Sequence, residues 1–482
     1  MNINYISRNV GIALVLNAAF MFLSVIVSLC YEMDDAFSPL FLSGVITLAS
    51  GAFPLVFVRE VGTVTLKEGF FTIVLTWLLV CVFGSLPYIL WGGDFSVIDA
   101  WFESVSGYTT TGCTALSDVE ALPHSLLFWR TSTHYIGGLG VVVFMIIVLP
   151  NARSTFGLRL SSLEMGNLSK QNYKFKVMET ARIIILVYLG LTVLQTLCLT
   201  LAGMDFFDAL NHSMSIAATG GFSTKNNSAA AFASPAVEII MIVFMYVSGL
   251  HFGLIYLCFR TRSLRIFKDP VIRFYSLVLL GSIVLTTFSL LSGGTERNFL
   301  TALRHSAFMN VSAASTTGFA NAETLHWPVA ALLIFFYLAF QGACSGSTTG
   351  GVKVDRICVS FSSIKARLKR NLHLNAIIKP RIGNRILSGE IIGETNLYLV
   401  FFMSLIFVGS ILLSATGLDL KTSVTTSLAC TANTGLTFGS LSSFGNYESF
   451  PVVSKIIYTV EMLLGRLEIY PVLAFFVIRR WK

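Results

Sequence analysis

Charge is what this chain has least of. Only 12% of its 482 residues are charged, while 54% are hydrophobic, and the mean hydropathy is +0.75. That balance excludes a soluble domain of this length and leaves a helical integral membrane protein. No CxxC pair occurs among the eight cysteines (Cys30, Cys81, Cys113, Cys198, Cys258, Cys344, Cys358, Cys430). Most fall inside apolar spans and read as small buried hydrophobes, not disulfides or metal ligands. The seven histidines show no HExxH-like spacing, and acids, histidines or a nucleophile with its base do not cluster at membrane depth. An intramembrane enzyme therefore has no support, and no ATP-binding loop is present. No small-residue cleavage pattern follows the first apolar span, at about 11–31. That span is too long for a signal-peptide core and reads as a retained helix.

Ten apolar spans are long enough to cross a bilayer, at about 11–31, 37–58, 69–91, 125–149, 180–202, 236–259, 272–292, 328–358, 395–417 and 451–478. After the third, fifth, seventh and ninth lies a shorter, moderately apolar segment: 97–109, 206–218, 299–315 and 419–431. Each runs into a hydroxyl-rich stretch ending in glycine: Thr109-Thr110-Thr111-Gly112, Ala218-Thr219-Gly220-Gly221, Ser315-Thr316-Thr317-Gly318 and Ala432-Asn433-Thr434-Gly435. The marked glycines are 109, 97 and 117 residues apart, so a unit of helix, half-crossing helix, re-entrant loop and helix recurs four times. The predicted fold is all-α: ten transmembrane helices, of which two N-terminal ones stand outside four repeats around one pore. The boundaries are 1–66 for the extra helices, then 67–150, 151–262, 263–390 and 391–482 for the repeats.

Loop backbone at membrane depth is tolerated only where it is buried in protein or lines a cavity. Four such loops around one axis make a ring of carbonyls able to replace the water around a monovalent cation. Glycine reaches the positive φ values this needs without steric cost. Asp99-Ala100 with Ser104, and Asp208-Ala209 with Ser213, keep identical distances to Gly112 and Gly221, and an acid early in a short helix suits its N-terminus. The chain reads as a potassium pathway.

Orientation follows from positive charge. With the N-terminus inside, segments 1–10, 59–69, 151–182, 260–273, 352–390 and 479–482 hold 26 of the 33 Lys and Arg, satisfying the positive-inside rule. Both termini are then cytoplasmic and all four loops open outward. The net charge of +8 reflects this orientation, not nucleic-acid binding, and the basic stretch 365–370 reads as a juxtamembrane anchor against the lipid bilayer.

Two further features carry alternatives. The small-residue run 342–351 interrupts the eighth span, either as a close helix contact or as a flexible loop obstructing the pore. Arg466 lies inside the last span, where a charge needs a partner or water. It either pairs with another helix or lines the cavity below the loops. His134 with Gly137-Gly138-Leu139-Gly140 reads as helix packing, and Lys353, Asp355 and Arg356 as interfacial charges. A secondary transporter built on broken helices is the rival reading of the whole chain.

The chain resembles the Trk/Ktr/HKT superfamily of potassium transporters, in particular its bacterial TrkH/TrkG-type membrane subunits. Besides the four glycine stretches, the resemblance rests on 341–353 (Gln-Gly-Ala-Cys-Ser-Gly-Ser-Thr-Thr-Gly-Gly-Val-Lys) and on 465–471 (Gly-Arg-Leu-Glu-Ile-Tyr-Pro). It implies a potassium filter at Thr110, Thr111, Gly112 and Cys113; Thr219, Gly220, Gly221 and Phe222; Thr316, Thr317, Gly318 and Phe319; and Asn433, Thr434, Gly435 and Leu436. It implies a gate built from Gly342, Cys344, Gly346, Ser347, Thr348, Thr349, Gly350, Gly351 and Arg466. It also implies a bacterial inner-membrane ion channel or symport protein with no organic cofactor. That protein would be a homodimer working with a cytosolic, nucleotide-binding TrkA-type ring docked on segments 151–182 and 352–390.

Overall fold

A computed structural model describes residues 2–58, 66–148, 173–263, 267–373, 376–437 and 441–467. Glu468 to Pro471 of the second motif, the end of the tenth span, the basic residues of 479–482 and most of segment 151–182 lie outside them.

The regular elements of the described chain are helices apart from one short hairpin. Helices α1 (Ile3–Cys30) and α2 (Phe37–Phe57) form the N-terminal pair, held close because Gly11 and Gly51 leave no room for a Cβ between them. Then follow α3 (Leu66–Trp91), α4 (Val97–Tyr108), α5 (His124–Val148), α6 (Tyr173–Leu201), α7 (Phe206–Ala218), α8 (Pro235–Ser248), α9 (Phe252–Thr261) and α10 (Pro270–Ser292). The chain continues as α11 (Phe299–Ala314), α12 (Val329–Gln341), α13 (Val354–Leu372), α14 (Gly389–Ala415), α15 (Leu420–Thr431) and α16 (Val452–Arg466). Among the described residues α1, α2, α3, α6, α10 and α14 are long and apolar enough to cross a membrane. Outward-facing leucines, valines and phenylalanines on them, such as Leu197, Phe288 and Phe407, suit lipid contact.

Two expectations change. The span 236–259 is not one straight helix: α8 and α9 meet at a 103° bend. At the bend Gly249 ends α8, and the His251 side chain caps α9 by accepting the Gly253 amide. The span 328–358 is interrupted where the small-residue run lies, stopping at Gln341 and resuming at Val354, with Gly342 (φ +64) and Gly351 (φ +72) in conformations that an L side chain rarely adopts. An antiparallel ladder of β1 (Arg381–Ile382) and β2 (Arg385–Ile386), turned at Gly383 (φ +56), is the exception to the all-α reading.

Short helices α4, α7, α11 and α15 each begin with a side-chain cap: Ser96, Asp205, Asn298 and Asp419 accept backbone amides of the first turn. Asp99 and Asp208 do more than favour a helix N-terminus. Asp99 Oδ1 lies 2.6 Å from Lys455 Nζ on α16, and Asp208 Oδ1 accepts the Thr224 hydroxyl at 2.6 Å. Those contacts tie each short helix to the loop or helix packed beside it.

Candidate functional site

The four short helices all end in one way. The amides of Thr111, Gly220, Thr317 and Thr434 donate to the carbonyls of Ser106, Ser215, Ser312 and Ala429, each at 2.9 Å. The residue before each donor, Thr110, Thr219, Thr316 or Asn433, is left-handed with φ of 51–56°. This is the Schellman ending, built three times on threonine, for which the left-handed basin costs about 1–2 kcal/mol. Two residues on, Gly112, Gly221, Gly318 and Gly435 have φ of +83, +87, +85 and +67. Each is also walled in by its neighbour: a Cβ on Gly112 would strike the Gly220 carbonyl oxygen, on Gly221 that of Thr317, on Gly318 that of Thr434, and on Gly435 that of Thr111. The contacts run 1 to 2 to 3 to 4 and back to 1. Four loops in matching conformation thus close a circuit in chain order, buried up to the four glycines, which are themselves partly exposed, with one carbonyl per loop beside each glycine.

Side chains fix this backbone unequally. Ser106 and Ser312 hydroxyls hold the carbonyls of Cys113 and Phe319 at 2.6 and 2.7 Å. Hydroxyl pairs Thr109–Thr111 and Ser315–Thr317 (2.8 and 2.7 Å) brace loops one and three from within. Asn433 Nδ2 donates across to Thr111 Oγ1 at 2.9 Å and to Met462 O at 3.0 Å.

The residue after each glycine packs on the preceding quarter. The Phe222 ring lies 4.0 Å from the stacked His134 ring and 3.6 Å from the Arg130 guanidinium, both on α5. Phe319 stacks on His212 of α7. Cys113 meets Cys430 of α15, Sγ to Sγ 4.0 Å. Arg130 and Glu103 form a buried ion pair. Arg130 also donates to Ser223 O at 2.9 Å, and Glu103 accepts the Thr114 hydroxyl and the Ala115 amide.

His134 does more than pack. Nε2 accepts the Phe222 amide at 3.2 Å and Nδ1 lies 2.8 Å from Gly107 O. An amide can only donate and a carbonyl only accept, so the Nδ1–H tautomer follows. Sequence reading assigned His134 to helix packing and passed over Arg130 and Glu103. The available signal was Arg130 itself, a charge inside an apolar span like Arg466.

Segment 342–353 lies against the helix-end side of the circuit. Thr348 Oγ1 donates to Ala217 O (3.0 Å) and receives Thr219 Oγ1 (3.3 Å); the Gly350 amide donates to Thr316 Oγ1 at 2.8 Å. Gly350 also abuts the Ala432 carbonyl too closely for any Cβ. Arg466 Nη1 donates to Thr348 O at 2.6 Å and Nη2 reaches Gly137 O on α5 at 3.5 Å. The segment and its arginine therefore touch all four quarters and lie across their common axis. Its other side is tied to the α8–α9 bend: Cys344 N donates to Gly249 O and Phe252 N to Gly346 O, both at 3.1 Å. Asp355 is a correction. It is buried, accepting the Ser345 amide at 2.6 Å, so it caps this segment instead of facing an interface.

Membrane-length helices surrounding a closed circuit of buried loops, with one segment across its axis, define a polytopic membrane transport protein. The chain matches the family model TrkH, cation transport protein, over residues 38–480. It is 34% identical over 490 residues to the Trk system potassium uptake protein TrkH of Salmonella typhimurium and 35% over 487 to that of Halomonas elongata, with both chains covered in full. It is 33% identical over 426 residues to TrkG of Escherichia coli, covering 85% of this chain and 84% of TrkG. The structure superposes on the crystal structure of the potassium transporter TrkH from Vibrio parahaemolyticus with TM-score 0.90 and 29% identity, covering all of both chains. The chain belongs to the TrkH family of cation transport proteins, within the Trk superfamily, a family of transporters and not of enzymes.

Proposed function

We propose that this protein takes up potassium across the bacterial cytoplasmic membrane through a single pore per chain, with residues 110–113, 219–222, 316–319 and 433–436 as its selectivity filter. The observation that carries this is the four-loop circuit: equivalent carbonyls of Thr111, Gly220, Thr317 and Thr434, each beside a positive-φ glycine of the preceding loop. Carbonyls so arranged replace the hydration shell of a monovalent cation. Potassium is the transported ion, in line with the names of the relatives, and no covalent step is needed. Segment 342–351 acts as the gate. Supporting this are its hydroxyl contacts to two loops and the Arg466 bond to Thr348, which latches it in place. Opening then means releasing the segment from the circuit. The four pseudo-repeats, the cytoplasmic termini, the homodimer and a TrkA-type nucleotide-binding partner docked on the basic interior segments complete the reading.

Rubidium and sodium flux in proteoliposomes carrying Gly→Ser changes at Gly112, Gly221, Gly318 and Gly435 test the filter. Potassium preference falls at each position; unchanged potassium-over-sodium ratios in all four refute the assignment. The bend of 103° between α8 and α9 favours a second reading, secondary transport of another solute at broken helices. Rubidium uptake that potassium does not compete away selects that reading.

A further inference from the structure

We propose that Cys113 and Cys430 form a binding site for a soft, two-coordinate metal ion, placed where the fourth quarter closes on the first. Cys113 directly follows Gly112, and Cys430 lies in the last turn of α15. Their sulfurs are 4.0 Å apart although the residues are 317 positions apart in the chain, and both side chains are buried.

Distance selects the chemistry. A disulfide needs the sulfurs at about 2.05 Å, so roughly half the present gap would have to close. A metal–thiolate bond of about 2.3 Å makes a linear sulfur–metal–sulfur bridge span about 4.6 Å, an opening of about 0.6 Å. The backbone resists the larger change, because Ser106 pins the Cys113 carbonyl at 2.6 Å and Cys430 is fixed within a helix. The Tyr447 hydroxyl, 3.3 Å from Cys113 Sγ, adds a weak third contact.

Ligand type and count narrow the ion. Thiolates select soft metals, while potassium, magnesium and calcium require oxygen. Among the described residues no group of three or more His, Cys, Asp or Glu could hold a metal, which excludes tetrahedral zinc and iron–sulfur clusters here. Charge narrows it again, since an uncompensated ion in a buried apolar setting is costly. A divalent ion bound by two thiolates is neutral: one mercury(II) forms two metal–sulfur bonds while both S–H bonds break and two protons leave to solvent, with no change of oxidation state. The bridge staples loop one to α15 beside the contact between Gly435 and Thr111 and so distorts the circuit.

The test uses the full chain in proteoliposomes. N-ethylmaleimide first blocks the accessible cysteines, mercuric chloride follows, and dialysis against a monothiol removes singly held metal. One mercury per chain is retained, with two sulfurs in its X-ray absorption shell, and most rubidium uptake is lost until a dithiol restores it. Cys113→Ser and Cys430→Ser each abolish retention, while Cys344→Ser leaves it unchanged. Retention that persists in both single variants, or no retention in the unsubstituted chain, overturns the site. The flux readout alone rests on the pore reading: bound mercury with unaltered rubidium uptake keeps the site and counts against the circuit as the conduction path.

Discussion

His134 joins two quarters of the molecule by one ring, taking the Phe222 amide on Nε2 and giving Nδ1–H to the Gly107 carbonyl. His134→Phe keeps the stack against Phe222 but removes both hydrogen bonds. A buried amide left without an acceptor costs about 1–3 kcal/mol, so thermal stability in detergent falls by that order. Because the orphaned amide follows Gly221, the potassium-over-sodium ratio in flux assays falls as well. A drop in stability with an unaltered ratio would assign His134 to packing alone.

Two glycines of similar composition and different setting make a matched pair. Gly318 has φ +85 and faces the Thr434 carbonyl; Gly281, in α10, has nothing within 4 Å. Gly318→Ala meets both the backbone collision and the left-handed cost of about 1–2 kcal/mol, and rubidium uptake collapses. Gly281→Ala gains helix propensity of roughly 0.5–1 kcal/mol and leaves uptake unchanged.

The Arg466 guanidinium and the Thr348 hydroxyl each tie the gating segment to its surroundings. Thr348→Val preserves shape while deleting the hydroxyl bond to Ala217 O, and Arg466→Ala deletes the bond to Thr348 O. Each variant raises rubidium flux in the absence of any cytosolic partner, and each folds. Loss of expression of Arg466→Ala together with unaltered flux in Thr348→Val would make these contacts structural only.

Arg130 and Glu103 form a pair in which both side chains are almost wholly buried. Arg130→Met removes the cation and leaves a carboxylate with only the Thr114 hydroxyl and Ala115 amide as partners. Breaking a buried pair from one side costs about 3–5 kcal/mol, read as a large loss in thermal unfolding midpoint. The double variant Arg130→Met with Glu103→Leu recovers part of that loss.

Positions whose role is set locally were legible in the amino-acid order. A glycine three or four residues past a helix end, after a hydroxyl-rich turn, has little choice of conformation, so four such stretches at regular spacing marked four equivalent loops. The glycine-rich interruption at 342–351 was legible for the same reason, since so many glycines do not hold a helix. The α8–α9 bend was not. Its one glycine is ordinary in an apolar span, and the broken backbone is satisfied by Cys344 and Gly346, nearly a hundred residues further on.

Taken alone, the amino-acid order determined a polytopic helical protein with four similar loops, because apolar length, charge asymmetry and turn chemistry act within a few residues. Only the tertiary structure decided that the loops meet in chain order, that Arg466 grips the Thr348 carbonyl, and that His134 and Cys430 brace loops far from them in sequence. Those contacts depend on how whole helices pack, and no short window of residues records the packing.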